Sequence, residues 1–324
     1  MPELAQLPPT AAPPPPPRTT GSWGLAALLF LTSLGTCVTL GGSFYLAART
    51  DLVTDVTPLL LPSTIARVWG DASLVAWGFA FALPVLFILL AHELGHYLLC
   101  RRYGLPATPP YFLPAPVGLG TFGAFIRIRA PIRDKRELFD VGVGGPLLGF
   151  AALFPFLAFG VAQSQPVAIR LVEDSPTAML LYLPGKSLLV ELLSRLFHGA
   201  LPPGTVLNPH PFALAGWVGL FATMLNLLPL GQLDGGHLLY AAFGRLQRRL
   251  AAPLWLALAA LAWLWWGWLL WCAIVLAMGL RHPPVGREDE PLDPRRRAVA
   301  WGVLLLFVLC FMPVPIDAVP VAVP

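Results

Sequence analysis

Residues 92–96 read His-Glu-Leu-Gly-His and lie inside an apolar stretch. Residues four positions apart project from the same face of a helix, so the imidazoles of His92 and His96 can bind one Zn²⁺. Glu93 lies beside them, close enough to take a proton from a water at the metal but not in line to ligate. Ionisable side chains inside a membrane helix cost free energy, and they are found mainly where they serve a function. The motif therefore predicts a metal site rather than a chance match.

A catalytic zinc needs a third protein ligand and an open coordination position. Asp234 is the best candidate, since it stands at a Gly-flanked break that follows a long uncharged stretch. The alternative for Asp234 is a helix cap, because Asp-Gly is common in turns. Three competing acidic residues lie among basic residues and are interpreted as connector salt bridges: Asp134, Glu137 and Asp140.

The elements that must position these residues are membrane helices. Of the 324 residues, 56% are hydrophobic and only 12% are charged, whereas a soluble domain has about 25% charged residues. The mean hydropathy is +0.71. Seven charge-free intervals approach or exceed the length that crosses a bilayer: 19–48, 72–92, 103–126, 141–169, 196–233, 251–280 and 298–316. The composition excludes an ordinary soluble enzyme and predicts an all-α polytopic membrane protein with six or seven transmembrane helices.

The net charge and the cysteines exclude some classes of partner and site. The net charge of +4 is too small and too dispersed to indicate nucleic-acid binding. Four cysteines without CxxC spacing predict neither a disulfide framework nor a thiolate metal site. The oligomeric state cannot be read from the sequence.

The apolar intervals predict helices at defined positions: 23–48, 72–100, 141–162, 211–228 and 298–316, with an amphipathic helix at 186–197. The interval 251–280 predicts either one long tilted helix or two short ones. Glycines at the start of the third helix, Gly142, Gly144 and Gly145, would let a neighbouring backbone approach closely. Three regions follow: a disordered Pro-rich tail at 1–22, a membrane-embedded domain at 23–316 and a C-terminal tail at 317–324.

The placement of basic residues predicts the orientation. Seven Lys and Arg residues lie between the second and third helices, against two in the 49–71 loop. The positive-inside rule then assigns the 101–137 connector to the cytoplasm. The helix with the two histidines and the helix before Asp234 both end on that side. The three candidate ligands are therefore expected at one membrane depth, near the cytoplasmic face.

Two motifs in this order resemble the site-2 protease family of intramembrane zinc metalloproteases. The first is His-Glu-Leu-Gly-His at 92–96, and the second runs from Asn226 through Pro229 to Asp234-Gly-Gly in a later helix. Further similarity lies at 120–125, 139–146 and 282–284, so the resemblance covers roughly residues 73–315. The sequence is most similar to the branch without a PDZ domain, which includes chloroplast members and their bacterial relatives.

The resemblance implies a role for each site residue. His92, His96 and Asp234 would bind zinc, and Glu93 would act as general base and acid. Asn226 would hold substrate or the developing oxyanion, with an interhelical hydrogen bond as its alternative. The reaction would be hydrolysis of peptide bonds within or near transmembrane segments, so the partners would be a transmembrane protein substrate and the lipid bilayer.

Another function remains open, namely a non-proteolytic membrane protein that retains a zinc site, such as a metal transporter or a chaperone-like relative. The ionisable residues concentrate at one depth, which favours hydrolysis over transport. The alternatives for His237 are a residue that supports the metal ligands and a polar residue at the interface, and the second is preferred. The Arg-rich composition and the lack of a transit-peptide pattern favour a bacterial inner membrane, with the active site toward the cytoplasm.

The interval 103–126 is apolar but rich in Pro and Gly, so it is not predicted to be a helix. Irregular backbone at membrane depth is stable only when it is buried in protein or lines a wet cavity. We therefore predict a re-entrant loop that leads into a short β segment near the active site, from Thr121 to Arg129. The edge of this segment either pairs with an unwound substrate or plugs the site.

Overall fold

The structure is a computed structural model of the chain and describes residues 21–49, 60–169, 179–286 and 291–321. Within these ranges the chain is mostly helical. The helices are α1 (Trp23–Arg49), α2 (Pro62–Trp69), α3 (Ala72–Arg102), α4 (Lys135–Gln163), α5 (Leu188–His198), α6 (Pro211–Asn226), α7 (Asp234–Phe243), α8 (Arg245–Ala260), α9 (Gly267–Met278) and α10 (Pro294–Cys310). The predicted Pro-rich tail, 1–22, lies almost entirely outside the described residues.

Among the described residues, six short strands form three antiparallel pairs. They are β1 (Tyr111–Pro114) with β2 (Thr121–Phe125), β3 (Gln165–Ala168) with β5 (Thr205–Asn208), and β4 (Met179–Pro184) with β6 (Ile316–Val321). The predicted non-helical loop and its short β segment are therefore present, as the β1–β2 hairpin. Residues 317–321, expected in a C-terminal tail, are part of β6.

Three of the described helices are long and apolar enough to cross a membrane: α1, α3 and α4. The 31 residues of α3 extend about 46 Å at 1.5 Å per residue, more than the hydrocarbon core of about 30 Å. Two shorter apolar helices are α6 and α9. The helical, membrane-type class is confirmed in this form, and the count of six or seven spans stays a prediction.

The third predicted helix begins earlier than the sequence pattern indicated, because α4 starts at Lys135 rather than at Val141. Asp134 caps it, with its carboxylate accepting the N–H groups of Arg136 at 2.9 Å and Glu137 at 3.0 Å. The charged run 133–140, which the sequence pattern indicates as a connector, therefore contributes residues 135–140 to the start of α4. A charge-free criterion misses such residues, because a helix can start in the polar interface.

The C-terminal third contains two short helices where the sequence allowed one or two, and its last helix has other bounds than predicted. The interval 251–280 contains two helices, α8 and α9, separated by a 3₁₀ turn at Leu261–Trp263. The last helix was predicted at 298–316, but α10 runs from Pro294 to Cys310. Asp293 accepts the N–H of Arg296 at 3.1 Å and caps its start. The helix ends before Pro313 and Pro315, which cannot continue its hydrogen bonding.

Helix α3 packs against α1, α4 and α6, so the candidate ligands lie inside the helical core. A Cβ on Gly95 would overlap the carbonyl of Gly144, and a Cβ on Gly144 would come within 2.8 Å of the carbonyl oxygen of Gly95. The close approach that the α4 glycines predicted is therefore present. Fully buried apolar side chains of α3, α4 and α6 belong to the core of this helix packing: Phe81, Leu153, Leu157, Leu220 and Met224.

Candidate metal centre

Helix α3 presents His92 and His96 on one face, as the four-residue spacing predicts. Both are buried, with 6% and 9% of their surface exposed. Their Nε2 atoms lie 3.2 Å apart. Two imidazole nitrogens thus point to one place inside the protein.

Asp234 reaches the same place from the other side. It is the first residue of α7, which begins after the break that follows α6. Its Oδ2 atom lies 3.3 Å from Nε2 of His92 and 3.3 Å from Nε2 of His96. The N-cap of α7 is Leu233, and no side chain makes a capping hydrogen bond there. The helix cap that was the alternative for Asp234 is therefore not formed.

The three donor atoms fit a zinc ion. Their separations of 3.2 and 3.3 Å match a tetrahedral site, in which ligands about 2.0–2.2 Å from the metal lie about 3.3–3.6 Å from one another. Among the described residues this is the group of histidine, cysteine and acidic side chains that could hold a metal ion. Three protein ligands leave one tetrahedral position open, as in catalytic zinc sites.

A hydrogen bond fixes the tautomer of His96. Its Nδ1 lies 2.7 Å from the carbonyl oxygen of Val141 in the second turn of α4, and a carbonyl can only accept. Nδ1 therefore carries the hydrogen, and the neutral ring presents the lone pair of Nε2 to Asp234. A nitrogen lone pair against a carboxylate oxygen is unfavourable unless a proton or a metal cation lies between them. Such carbonyl partners orient metal-binding histidines in general.

Two α4 glycines make room for the imidazoles. A Cβ on Gly145 would overlap the ring of His96. A Cβ on Gly149 would lie 3.1 Å from both Cβ and Nδ1 of His92, tighter than ordinary van der Waals contact. The glycine-rich start of α4 thus allows close packing and leaves space for the ligand side chains.

Glu93 is buried beside the ligands and is held by the β hairpin. Its Oε2 atom accepts the N–H of Ile126 at 2.9 Å, just after the end of β2. Among the described residues, no hydrogen-bond donor is found for the other carboxylate oxygen. One oxygen is thus fixed by the backbone, and the other can face a water at the metal centre.

The direction of the hairpin edge follows from its hydrogen bonds. The N–H of Arg127 donates to the hydroxyl of Thr108 at 2.9 Å, and the N–H of Thr108 donates to the carbonyl of Arg127 at 3.1 Å. The N–H of Arg129 donates to the carbonyl of Pro106 at 2.8 Å. Polar backbone groups alternate along a strand, so those of Ala124 and Ile126 point the other way. The N–H of Ile126 does so, toward Glu93. The second edge of the segment therefore faces the metal centre.

Asn226, the last residue of α6, also reaches this centre. Its Nδ2 atom lies 3.2 Å from Nε2 of His92. This contact between α6 and α3 is the interhelical interaction that was the alternative for Asn226. It also leaves the amide beside the candidate metal position.

The competing acidic residues have other partners, but they do not lie in a connector: Glu137 and Asp140 form ion pairs from within α4, and Asp134 caps that helix. Asp140 receives two hydrogen bonds from Arg296, at 2.8 and 2.6 Å, and one from the hydroxyl of Tyr103. Burial and then the Asp140 carboxylate raise the pKa of Tyr103. Glu137 pairs with Arg133 at 2.5 Å. None of these carboxylates belongs to the group that could hold a metal.

Sequence reasoning missed a second cluster that adjoins Asp234. His237, for which support of the metal ligands was one alternative, lies 2.8 Å from His282 through their Nδ1 and Nε2 atoms, and this pairing was not predicted. His282 in turn contacts Tyr240 and Gln247. The only signal for His282 was the similarity at 282–284, because residues 45 positions apart give no periodic pattern.

Comparison with known proteins identifies relatives. The family model of peptidase family M50 matches residues 80–264, which include both site motifs. A rice (Oryza sativa subsp. japonica) protein described as "Probable zinc metalloprotease EGY1, chloroplastic" is 32% identical over 70% of this chain and 39% of its own length. The Arabidopsis thaliana EGY1 protein of the same description is 31% identical over 91% of this chain and 54% of its own length.

A further relative from Oryza sativa subsp. indica, described as "Probable zinc metalloprotease EGY2, chloroplastic", is 30% identical over 84% of this chain and 50% of its own length. The chain thus spans about half the length of the curated relatives it matches. No solved structure matches the chain.

Proposed function

This chain belongs to peptidase family M50, the site-2 protease family that its motifs resemble, and we propose that it is a zinc-dependent peptidase of membrane proteins. Its proposed reaction is hydrolysis of peptide bonds within or near transmembrane segments. The observation that carries the proposal is the convergence of His92, His96 and Asp234 next to Glu93 among apolar helices. The names of the relatives, zinc metalloproteases, support the same reaction.

In this proposal, His92, His96 and Asp234 hold the zinc. A zinc ion bound there supplies a Lewis acid that polarises a carbonyl and lowers the pKa of a water toward 7. Glu93 takes the proton of that water on its second carboxylate oxygen and returns it to the leaving amine. The N–H of Ile126 keeps the carboxylate in place during both transfers, since it holds Oε2 at 2.9 Å.

Asn226 is proposed to stabilise the oxyanion. Its amide is 3.2 Å from Nε2 of His92, so it lies beside the ligands on the end of a rigid helix. A metal-bound Nε2 could not accept a hydrogen bond, so the amide N–H of Asn226 would be available to a substrate carbonyl. Hydrogen-bond donors in such positions stabilise the charge that develops on the carbonyl oxygen.

The substrate is proposed to pair with the free edge of the 121–129 segment. A helical substrate must be unwound before cleavage, and its exposed amides then need partners. The edge that faces Glu93 offers the backbone groups of Ala124. A proline at Ile126 would remove the N–H that holds Glu93. By the same alternation, the backbone groups of Phe125 point toward β1. Ala124 is therefore the informative position.

We expect Ala124→Pro to lower cleavage by about 10-fold or more, because proline removes the N–H donor of the edge. Zinc content and expression should match the parent protein. Ala124→Val is the matched control, since it retains the N–H and alters only the side chain. Parent-level cleavage by Ala124→Pro would indicate that the segment is a plug instead.

The proposed orientation places the zinc site near the cytoplasmic face of the membrane, because the connectors on that side are rich in Arg. A bacterial inner membrane stays a prediction from composition, and the relatives are chloroplastic by name. We expect single cysteines at positions 136 and 249, both exposed, to react with a membrane-impermeant reagent from the cytoplasmic side. The four native cysteines are buried and give little background. Labelling from opposite sides would overturn this topology.

The peptidase itself is tested in proteoliposomes with a tagged single-span substrate. We expect fragments from the zinc-loaded protein, none after treatment with a chelator, and recovery when Zn²⁺ is restored. A readdition series with Mg²⁺ is the control, because Mg²⁺ prefers oxygen ligands in octahedral geometry. A folded, zinc-loaded protein that releases no fragment from any of a panel of spans would favour the non-proteolytic alternative.

A further inference from the structure

The segment 278–285, here called the His282 segment, crosses beside the turn that carries Asp234. The N–H of Gly231 donates to the carbonyl of Leu280 at 3.1 Å. The amide of Gln232 donates to the carbonyl of Met278 at 3.2 Å. Two backbone carbonyls of the His282 segment, which is remote in the sequence, thus support the turn that leads into α7.

His282 is the centre of this segment and is 4% exposed. Its Nδ1 lies 2.6 Å from the carbonyl oxygen of Pro283, so Nδ1 carries the hydrogen. Its Nε2 therefore accepts, and the Nδ1–H of His237 donates to it at 2.8 Å. Burial lowers the pKa of His282, in agreement with a neutral ring. Hydrogen-bond donation thus runs from His237 to His282 and from His282 to the carbonyl of Pro283.

One further contact holds the His282 ring, and another holds its backbone. It stacks on Tyr240 with ring centroids 4.4 Å apart and planes at 17°. The backbone N–H of His282 donates to Oε1 of Gln247 at 3.2 Å, and Gln247 donates to the carbonyl of Leu280 at 3.3 Å. Gln247 is fully buried. The ring is therefore fixed in both position and tautomer.

His237 links this ring to the metal centre. It lies three residues after Asp234 on α7, so the two residues are neighbours along one side of the helix. Helix α4 contacts α7 at these same two residues: a Cβ on Gly142 would lie 3.2 Å from Cβ of His237 and 3.8 Å from the carbonyl oxygen of Asp234. Helix α7 is thus bounded by α4 and anchored by the His282 segment.

We propose that His282 is a positioning residue for the zinc site: through its hydrogen bond to His237 it fixes the rotation of α7, and thereby the direction of the Asp234 carboxylate. The inference rests on the zinc centre of the proposed function and extends it to a residue that ligates nothing. A rotation of α7 that releases His237 would move Oδ2 of Asp234 away from the two imidazoles.

The test measures zinc affinity by competition with a chelator, together with the visible absorption of the Co²⁺-substituted protein. We expect His282→Leu to bind zinc about 10-fold to 100-fold more weakly, the range found when partners that orient metal ligands are removed. Its Co²⁺ spectrum should change, since the coordination geometry changes. His282→Gln should retain most of the affinity, because its amide oxygen can replace Nε2 as acceptor for His237.

The control is His198→Leu, which also removes a ring bonded to a backbone carbonyl, that of Val161 at 2.7 Å, but on α5. Its zinc affinity should equal that of the parent. If His282→Leu does not fold, His282→Asn replaces it, because the shorter amide can bond to Pro283 but cannot reach His237.

Parent-level affinity and an unchanged Co²⁺ spectrum in the Leu or Asn variant would overturn the proposal. Equal losses in His282→Gln and His282→Leu would also overturn it, since the hydrogen bond to His237 would then not be the cause. If the parent protein itself binds no zinc, the proposed zinc centre fails instead, and this outcome is distinct from both.

Discussion

Glu93→Gln is expected to lower the cleavage rate by about 10²-fold to 10⁴-fold, while the zinc content of the protein stays at the parent level. General acid–base groups contribute rate enhancements of this size, and an amide cannot accept and return the proton. Glutamine has the same shape, and its oxygen can still accept the N–H of Ile126, which Glu93 binds at 2.9 Å. The hairpin should therefore stay in place. The measurements are kcat on a transmembrane substrate and zinc per chain.

The matched control for this prediction is Glu191→Gln on α5. Glu191 forms an exposed ion pair with Arg195 at 2.7 Å, and such pairs contribute little stability. Its cleavage rate and zinc content should both equal those of the parent. A Glu93→Gln protein that cleaves at the parent rate would exclude Glu93 as the proton carrier. A variant that loses zinc as well would indicate that Glu93 supports the metal centre itself.

The candidate site was readable from the sequence because its parts have local signatures. His92 and His96 share a helix face at a fixed spacing, and charge-free intervals locate that helix in the membrane. Asp234 is remote in the chain, but topology predicted the same depth for it, and its carboxylate lies 3.3 Å from both imidazoles. Periodicity and the position of charges were sufficient for these residues.

Contacts that depend on tertiary packing could not be predicted from the sequence. The hydrogen bond from Ile126 to Glu93 requires the exact register of the hairpin, and a sequence gives only alternation. The pair of His237 and His282 joins α7 to a loop between α9 and α10. The start of α4 was misplaced because Asp134 and the charged turn after it resemble a connector. In each case a polar residue has a partner that no local pattern specifies.

Tertiary contacts also distinguish the proposed third ligand, Asp234, from Asp140, since both are partly buried acidic residues near the ends of helices. The side chains are 14% and 20% exposed, respectively. Asp140 is engaged by Arg296 and Tyr103, and its carboxylate raises the pKa of the Arg296 guanidinium. The carboxylate of Asp234 instead faces two imidazole nitrogens. Their partners therefore predict opposite outcomes on substitution.

Asp234→Ala is expected to lower zinc occupancy from about one ion per chain to a small fraction of that, because two histidines alone leave a catalytic zinc short of its third protein ligand. Asp140→Ala should retain the parent zinc content. It should instead lower the free energy of unfolding by about 1–3 kcal/mol, since the hydroxyl of Tyr103 loses its acceptor and Arg296 is left with its ion pair to Asp293, so the Arg296 link between α10 and α4 is lost. Metal analysis after gentle solubilisation and a melting curve measure both. If Asp140→Ala loses the zinc and Asp234→Ala keeps it, the third ligand has been assigned to the wrong carboxylate, and α7 would then have to rotate away from the two histidines.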